Sequence, residues 1–245
     1  RDTPSDDSDG NFENVEPNVF EVSKDVECER DWTFNADTGV LPASTSLRMN
    51  MPRKYGVDIQ YSSISYAIAY VITYESVTLF RPSVEFIDKT MKSLCANTPV
   101  SSRMAIKAIQ KFGVCGETEY SDDDGFPSRD CLLKAHNFNR IAYFRIRFGT
   151  IKKAVCMGYP VVLCVEIFNN NQMSENAIIK PADKTTSMGS IAVVVTGYDD
   201  QSESFEYINC VNSEWGNCDY SIIKKYGHSM WLVKHAKYED ILEIM

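Results

Sequence analysis

The chain has 245 residues, of which 44% are hydrophobic, and it carries a formal net charge of −9 at pH 7. A chain of this length can bury one sizeable core, or two lobes that share a cleft. No run approaches the roughly 18 apolar residues that a membrane-spanning helix needs, so we expect no membrane span.

The acidic charge is concentrated at the N-terminus. Residues 1–27 hold nine acidic residues against Arg1 and Lys24, which is −7 of the total −9. This composition predicts an acidic, flexible or extended tail over residues 1–40, with a docking or pro-segment role left open. The rest of the chain is nearly neutral and has no basic stripe, so we expect no nucleic-acid partner.

Eight cysteines and three histidines are spread along the sequence, and no two cysteines form a Cys-x-x-Cys pair. This pattern lacks the ligand spacing of a zinc site, so we expect neither a metal nor a cofactor. The even number of cysteines is compatible with disulfides, and the sequence leaves their presence open.

After an extended surface segment over residues 41–58, the apolar pattern predicts a central, mostly buried helix over residues 63–80. Ser62 or Ser63 is its expected N-cap. Apolar residues recur there with helical spacing at Ile64, Ala67, Ile68, Val71 and Ile72.

Two more helices are predicted in the first half of the chain. The stretch "RPSVEFIDKTMKSL" indicates a second helix, with Pro82 near its first turn. The stretch "SSRMAIKAIQKFGVC" indicates a third helix, which Ser101 or Ser102 caps and Gly113 ends.

The second half of the chain has the alternating pattern of strands. The stretches "RIAYFRIRF", "PVVLCVEIF", "IAVVVTGY", "SFEYINCV" and "DYSIIKKY" predict strands, and "IKKAVCMGY" predicts a short helix that Gly158 stops. Helices followed by strands indicate an α+β fold, with a helical lobe over residues 41–135 and a β-rich lobe over residues 136–245.

Seven short stretches stand out in order along the chain: "PASTSLRMNMPRKYGVDIQYSSISYAIA", "RPSVEFI", "IQKFGVCGE", "PSRDC", "IKKAVCMGYPVVLCVEIF", "AIIKPADKTTSMG" and "NCVNSEWGNCDY". In this order and spacing they resemble the papain-like cysteine peptidases, in particular the branch found in bacteria and large DNA viruses. The resemblance spans roughly residues 41–235 and implies a two-lobe papain-like fold with a cleft between the lobes.

The resemblance also implies where the catalytic residues would stand. A gapless alignment places Ser63 at the family's nucleophilic cysteine, and a slip of two residues would place Ser65 there. Counting back six residues from Gly197 places Ile191 at the family's histidine base. The neighbouring Ser190 is a poor substitute, because a hydroxyl group is a weak base.

Of the other two catalytic positions that the resemblance implies, one retains the family's residue and one does not. The asparagine that orients the histidine is retained as Asn209, whereas the oxyanion-hole glutamine falls on Val57. Gln60 lies three residues further on and is an expected neighbour of the cleft.

Three further residues, Ser62, Cys210 and Trp215, are predicted near this site or near the fold elements that support it. Ser62 precedes the nucleophile position, and Cys210 stands where the family has a serine after the asparagine. We expect Cys210 to be a buried, inert thiol and Trp215 to have a structural role in the fold.

The resemblance also leaves open a structural pairing of Cys115 with Cys131. For His136, His228 and His235 we expect structural or surface roles.

These replacements predict a catalytically inactive papain-like homologue that acts as a binding or structural protein. Loss of a nucleophile or base costs about a million-fold in rate, roughly 8 kcal/mol. A protein or peptide partner is expected in the residual cleft or on the acidic tail, and a virion or the host cytoplasm is the expected location. The alternatives are a weakly active peptidase with a serine nucleophile and a fold whose cleft is closed.

Overall fold

The computed structural model describes residues 22–35, 39–76, 80–95, 99–168, 178 and 186–235. Most of the predicted acidic tail (residues 1–21) and most of the stretch "AIIKPADKTTSMG" lie outside these residues. Within the described residues, no helix is long and apolar enough to cross a membrane.

Three helices form one layer of the molecule: α1 (Ser63–Glu75), α2 (Val84–Cys95) and α3 (Ser102–Phe112). Every residue of α1 from Ser63 to Thr73 is buried, so α1 is the predicted central helix. It ends at Glu75 rather than at residue 80. The hydroxyl group of Ser76 accepts the N–H of Phe80 at 3.1 Å, and such local bonding draws the backbone away from the helix.

The ends of α3 follow the predicted signals. Ser101 is its N-cap, and its side chain accepts the N–H of Met104 at 3.3 Å. Gly113 ends the helix with a positive φ of 80°. A Cβ atom at this position would lie 1.8 Å from the carbonyl oxygen of Ala135, so the close approach of α4 (Arg129–Ala135) also requires glycine.

An antiparallel sheet forms the second layer. Among the described residues it has seven strands in the order β4-β9-β5-β6-β7-β8, with β1 also paired to β6. The strands are β1 (Ser44–Ser46), β4 (Ile141–Arg145), β5 (Val161–Phe168), β6 (Ser187–Asp199), β7 (Ser204–Asn209), β8 (Glu214–Asp219) and β9 (Gly227–His235). The remaining elements are a small hairpin of β2 (Asp122–Asp123) and β3 (Phe126–Pro127), and the helices α5 (Ile151–Cys156) and α6 (Tyr220–Tyr226).

The prediction of a strand at "DYSIIKKY" is wrong, because β8 ends at Asp219 and the following residues form α6. Ile222 and Ile223 are buried in the core, with Tyr220 and Tyr226 packed against it. Tyr220, Ile223 and Tyr226 are spaced by three residues, and Ile222 lies four residues before Tyr226, which fits helix turns better than an alternating strand.

The two faces of the sheet cover different cores. One face, with Leu163, Val193 and Tyr207, encloses a core that α5 and α6 complete. The other face, with Val162, Ala192 and Ile208, packs against α1, α2 and α3. The long helices α1, α2 and α3 lie together on one face of an antiparallel sheet, which makes the α+β fold that the sequence predicts.

Residues 22–35, the described part of the predicted tail, run in an extended conformation against the body of the protein; we call this segment the strap. Val22 and Phe34 are buried. Ser23 donates its N–H to the carbonyl oxygen of Val100 at 2.8 Å, and Phe34 donates its N–H to that of Arg145 at 3.0 Å. The strap is therefore packed rather than solvated, in spite of its acidic composition.

Candidate functional site at the start of the central helix

The first residue of α1 is bonded directly to the sheet. The hydroxyl oxygen of Ser63 accepts the backbone N–H of Ala192 in β6 at 2.9 Å. Ser63 is only 1% exposed, so its hydroxyl group faces protein rather than solvent. This bond brings Ser63 next to Ile191, the residue at which the resemblance predicts the base.

That position, Ile191, contributes a hydrocarbon side chain. Ile191 is 1% exposed and packs in the core that the sheet encloses, with Val165 directly opposite on β5. An isoleucine side chain has no lone pair, so it cannot accept a proton from a nucleophile.

The N-terminus of α1 faces a carboxylate from α2. Oδ1 of Asp88 accepts the N–H of Ser62 at 2.9 Å, the hydroxyl group of Ser62 at 2.9 Å and that of Ser65 at 3.1 Å. Its other oxygen pairs with Lys92 at 2.5 Å. The partial positive charge of the helix end, which would stabilise a thiolate at this point, is thus compensated by a buried side chain of the protein.

These contacts decide the roles of the three serines. Ser62 occupies the N-cap position of α1, but its hydroxyl group makes no capping bond because it is bonded to Asp88. Ser63 is the first helical residue and not a cap. The hydroxyl group of Ser65 is bonded to Asp88 of α2, whereas that of Ser63 is bonded to β6.

Asn209 and Cys210 lie at the end of β7, next to the same part of the sheet. Both are fully buried. Oδ1 of Asn209 accepts the N–H of Val211 at 2.9 Å, whereas its Nδ2 has no hydrogen-bond partner among the described residues. Burial raises the pKa of the Cys210 thiol well above its usual value, so little of the reactive thiolate forms near neutral pH.

The remaining predicted neighbours have structural partners. Val57 is partly buried and packs on the helical core. Gln60 is exposed, and its Nε2 donates to Asp58 at 2.6 Å. The guanidinium carbon of Arg48 lies 4.6 Å from the ring centroid of Trp215, which is half-buried. The Gln60 amide is therefore bonded to its own loop and not to the α1 end.

The structure joins one histidine to a serine next to Ile191, which the sequence did not predict. Nε2 of His228 in β9 lies 2.9 Å from the hydroxyl oxygen of Ser190. The two residues are 38 positions apart, so no local motif marks the pair. His136 is exposed, and the ring of His235 stacks on that of Phe138 with centroids 4.2 Å apart.

Cys115 and Cys131 are buried together beside α2 and are thiols rather than a disulfide. Burial and a hydrogen bond with Cys131 raise the pKa of Cys115 to about 12.

The fold is that of the papain-like cysteine peptidases, as the resemblance implied. Xylellain, a cysteine protease from Xylella fastidiosa, superposes with a TM-score of 0.76 at 21% identity, over 89% of this chain and 97% of xylellain. Digestive procathepsin L 3 of Tenebrio molitor gives a TM-score of 0.62 at 13% identity, over 88% and 76% of the two chains. At these identities the similarity establishes the fold.

A sequence relative comes from a large DNA virus. An uncharacterized peptidase C1-like protein of Acanthamoeba polyphaga mimivirus is 26% identical over an alignment of 205 residues, and the match covers 71% of this chain. The chain spans 66% of the length of that relative. A comparison with protein-family models gave no match.

Proposed function

We propose that this protein is a catalytically inactive homologue of the papain-like peptidases that acts as a binding or structural protein. The observation that carries the proposal is the bond from Ala192 N–H to the Ser63 hydroxyl group at 2.9 Å. The hydroxyl at the nucleophile position serves as a buried acceptor between α1 and β6. The base position beside it, Ile191, cannot take its proton.

Three features support the loss of catalysis. A hydroxyl group is far less acidic than a thiol, so it needs a general base to become a nucleophile. Asp88 already compensates the positive end of α1, and its negative charge opposes a second anion there. Without nucleophile or base, the rate of a triad enzyme falls by about a million-fold.

The proposed role is to hold a protein or peptide partner in the residual cleft or through the acidic N-terminal residues. Extended peptides bind to such surfaces by backbone pairing and side-chain pockets, which need no catalytic residues. The mimivirus relative supports a role in a large DNA virus, and we place the protein in the virion or in the cytoplasm of the infected host.

A peptide-library experiment tests the binding role. The protein is incubated with a library of extended peptides, and the bound fraction is recovered and analysed by mass spectrometry. We expect a sequence-selected set of intact peptides. Bound peptides that are cleaved would contradict inactivity, whereas the absence of any enrichment over a denatured control would favour a closed cleft.

A weakly active serine hydrolase is the second candidate, and the contact between Ser190 and His228 is the observation that favours it. A fluorophosphonate probe, which labels serines activated by a base, separates the candidates. Labelling that Ser190→Ala abolishes and Ser63→Ala leaves intact would assign the activity to Ser190. Labelling that is abolished by Ser63→Ala would identify Ser63, at the family's nucleophile position, as the reactive serine. Our proposal predicts that the probe labels neither Ser190 nor Ser63.

A further inference from the structure

The strap connects parts of the molecule that are far apart in sequence. At its start, Ser23 donates both its N–H and its hydroxyl group to the carbonyl oxygen of Val100, at 2.8 and 3.0 Å. Near its end, Asp31 binds Arg103 of α3 at 2.5 Å and Arg145 of β4 at 2.9 Å. The strap therefore ties the helical layer to the edge of the sheet.

Asp25 is the contact between the start of the strap and β9. Its carboxylate accepts the N–H of Arg103 at 3.1 Å and the indole N–H of Trp231 at 2.7 Å. Its own N–H donates to the hydroxyl oxygen of Ser229 at 2.9 Å. Ser229 has a positive φ of 49°, which residues other than glycine rarely adopt, so the fold holds this serine in a demanding conformation.

His228 lies at the centre of this contact. Its Nδ1 is 3.0 Å from the hydroxyl oxygen of Ser229, and its Nε2 is 2.9 Å from that of Ser190. A neutral imidazole has one nitrogen that accepts, so one of the two serines can donate its proton to the ring. A protonated imidazole has two donors and no acceptor, so neither serine can donate to it.

The surroundings of the imidazole favour its neutral form. Burial is the main cause that lowers the pKa of His228 below its usual value of 6.5, and Lys24 of the strap adds to it. Asp25 of the strap and Glu166 of β5 also face the ring and act in the opposite direction. Because the folded state holds the proton less tightly than the unfolded state, stability is full above about pH 6.5 and declines as the pH falls below it.

We propose that His228 is an acid-sensitive clasp that holds the start of the strap on β9. Protonation of the ring removes the acceptor for the serine hydroxyl groups and creates a buried cation beside Lys24, which favours a state in which the ring reaches solvent. Lys24 and Asp25 then detach from β9, whereas Ser23 stays bonded to Val100 and the ion pairs of Asp31 retain the rest of the strap. Detachment uncovers the Trp231 indole and the start of α3. This inference is independent of whether the papain-like site is active.

NMR of the tryptophan indole N–H groups in the full-length protein tests the clasp. The Trp231 indole reports on its bond to Asp25. Trp215 of β8, whose ring stacks with Arg48, is the internal reference. Between about pH 8 and pH 5, the range in which histidines change charge, we expect solvent exchange of Trp231 to rise severalfold relative to Trp215.

Two variants and a matched control make the experiment decisive. His228→Gln keeps a hydrogen-bonding side chain but does not titrate, so the ratio of Trp231 exchange to Trp215 exchange should stay constant with pH. Ser229→Ala removes the acceptor of the Asp25 N–H, so exchange should be fast at every pH. His136→Gln changes an exposed histidine and should behave as the wild type does. A constant ratio in the wild type, or an unchanged pH dependence in His228→Gln, would overturn the clasp.

Discussion

At the scale of single residues, the hydroxyl group of Ser63 is a structural acceptor. Ser63→Ala leaves the buried N–H of Ala192 without its partner. An unsatisfied buried donor costs about 1–3 kcal/mol. We expect urea unfolding to show a loss of stability of that size. The matched control is Ser202→Ala in an exposed turn, which should change stability by less than about 0.5 kcal/mol. Equal stability of both variants would contradict the role of Ser63.

The cysteines differ in the reactivity that burial allows. Cys28 is exposed, whereas Cys164 and Cys210 are fully buried. Burial raises the pKa of Cys164 to about 12, and it also raises the pKa of Cys210 well above its usual value. We expect iodoacetamide at neutral pH to modify Cys28 in the native protein, and the buried pair only after unfolding, as peptide mass spectrometry would show. Rapid native modification of Cys210 would instead identify it as an activated nucleophile.

At the scale of elements, the start of α1 depends on a carboxylate from α2. Asp88→Ala leaves the N–H and hydroxyl group of Ser62 and the hydroxyl group of Ser65 without their acceptor. Hydrogen bonds to a charged group contribute about 1.5–3 kcal/mol. We expect denaturant unfolding to show that the free energy of unfolding falls by at least that amount. Asp122→Ala removes an exposed partner of Lys89 and should cost less than about 1 kcal/mol. If the two variants unfolded alike, Asp88 would not be what supports α1.

The sequence predicted those elements whose signals are local. The cap at Ser101 and the stop at Gly113 depend on a few neighbouring residues, and both are found as expected. The stretch "DYSIIKKY" was misassigned, because over eight residues the strand and helix periods are hard to tell apart. The packing of the strap had no local signal. Asp25 and its partner Trp231 are 206 residues apart in the chain, so the acidic composition of the segment predicted a flexible or extended tail but not this packing.

The candidate site was predictable only in part for the same reason. Family-like stretches around Ser63 and Ile191 predicted their positions by counting, and the structure bonds the Ser63 hydroxyl group to the N–H of Ala192, next to Ile191. The carboxylate of Asp88 and the imidazole of His228 reach the site from α2 and β9. Neither residue lies in one of the sequence stretches that resemble the family, so only the fold reveals these contacts.

At the scale of the whole molecule, the buried charges of the strap hold two layers together. The side chain of Asp31 is almost fully buried between Arg103 and Arg145, and Asp31→Asn would remove the buried charge that the two guanidinium groups share. Breaking a buried ion pair costs about 3–5 kcal/mol, and we expect a destabilisation of that order in thermal or urea unfolding.

The natural control for Asp31 is Glu27, an exposed carboxylate that lies 3.7 Å from the same Arg145. Because exposed pairs contribute about 0–1 kcal/mol, Glu27→Gln should unfold almost as the wild type does. If Asp31→Asn were no more destabilising than Glu27→Gln, the strap would not be a structural connection between the layers.

The central claim is that the papain-like fold here lacks the chemistry of a peptidase. The most direct measurement is the rate of peptide-bond cleavage by the purified full-length protein on a peptide library, compared with Ser63→Ala under the same conditions. We predict that both proteins leave the library intact at the rate of buffer alone. Cleavage by the wild type that Ser63→Ala abolishes would contradict the claim and make Ser63 a working nucleophile.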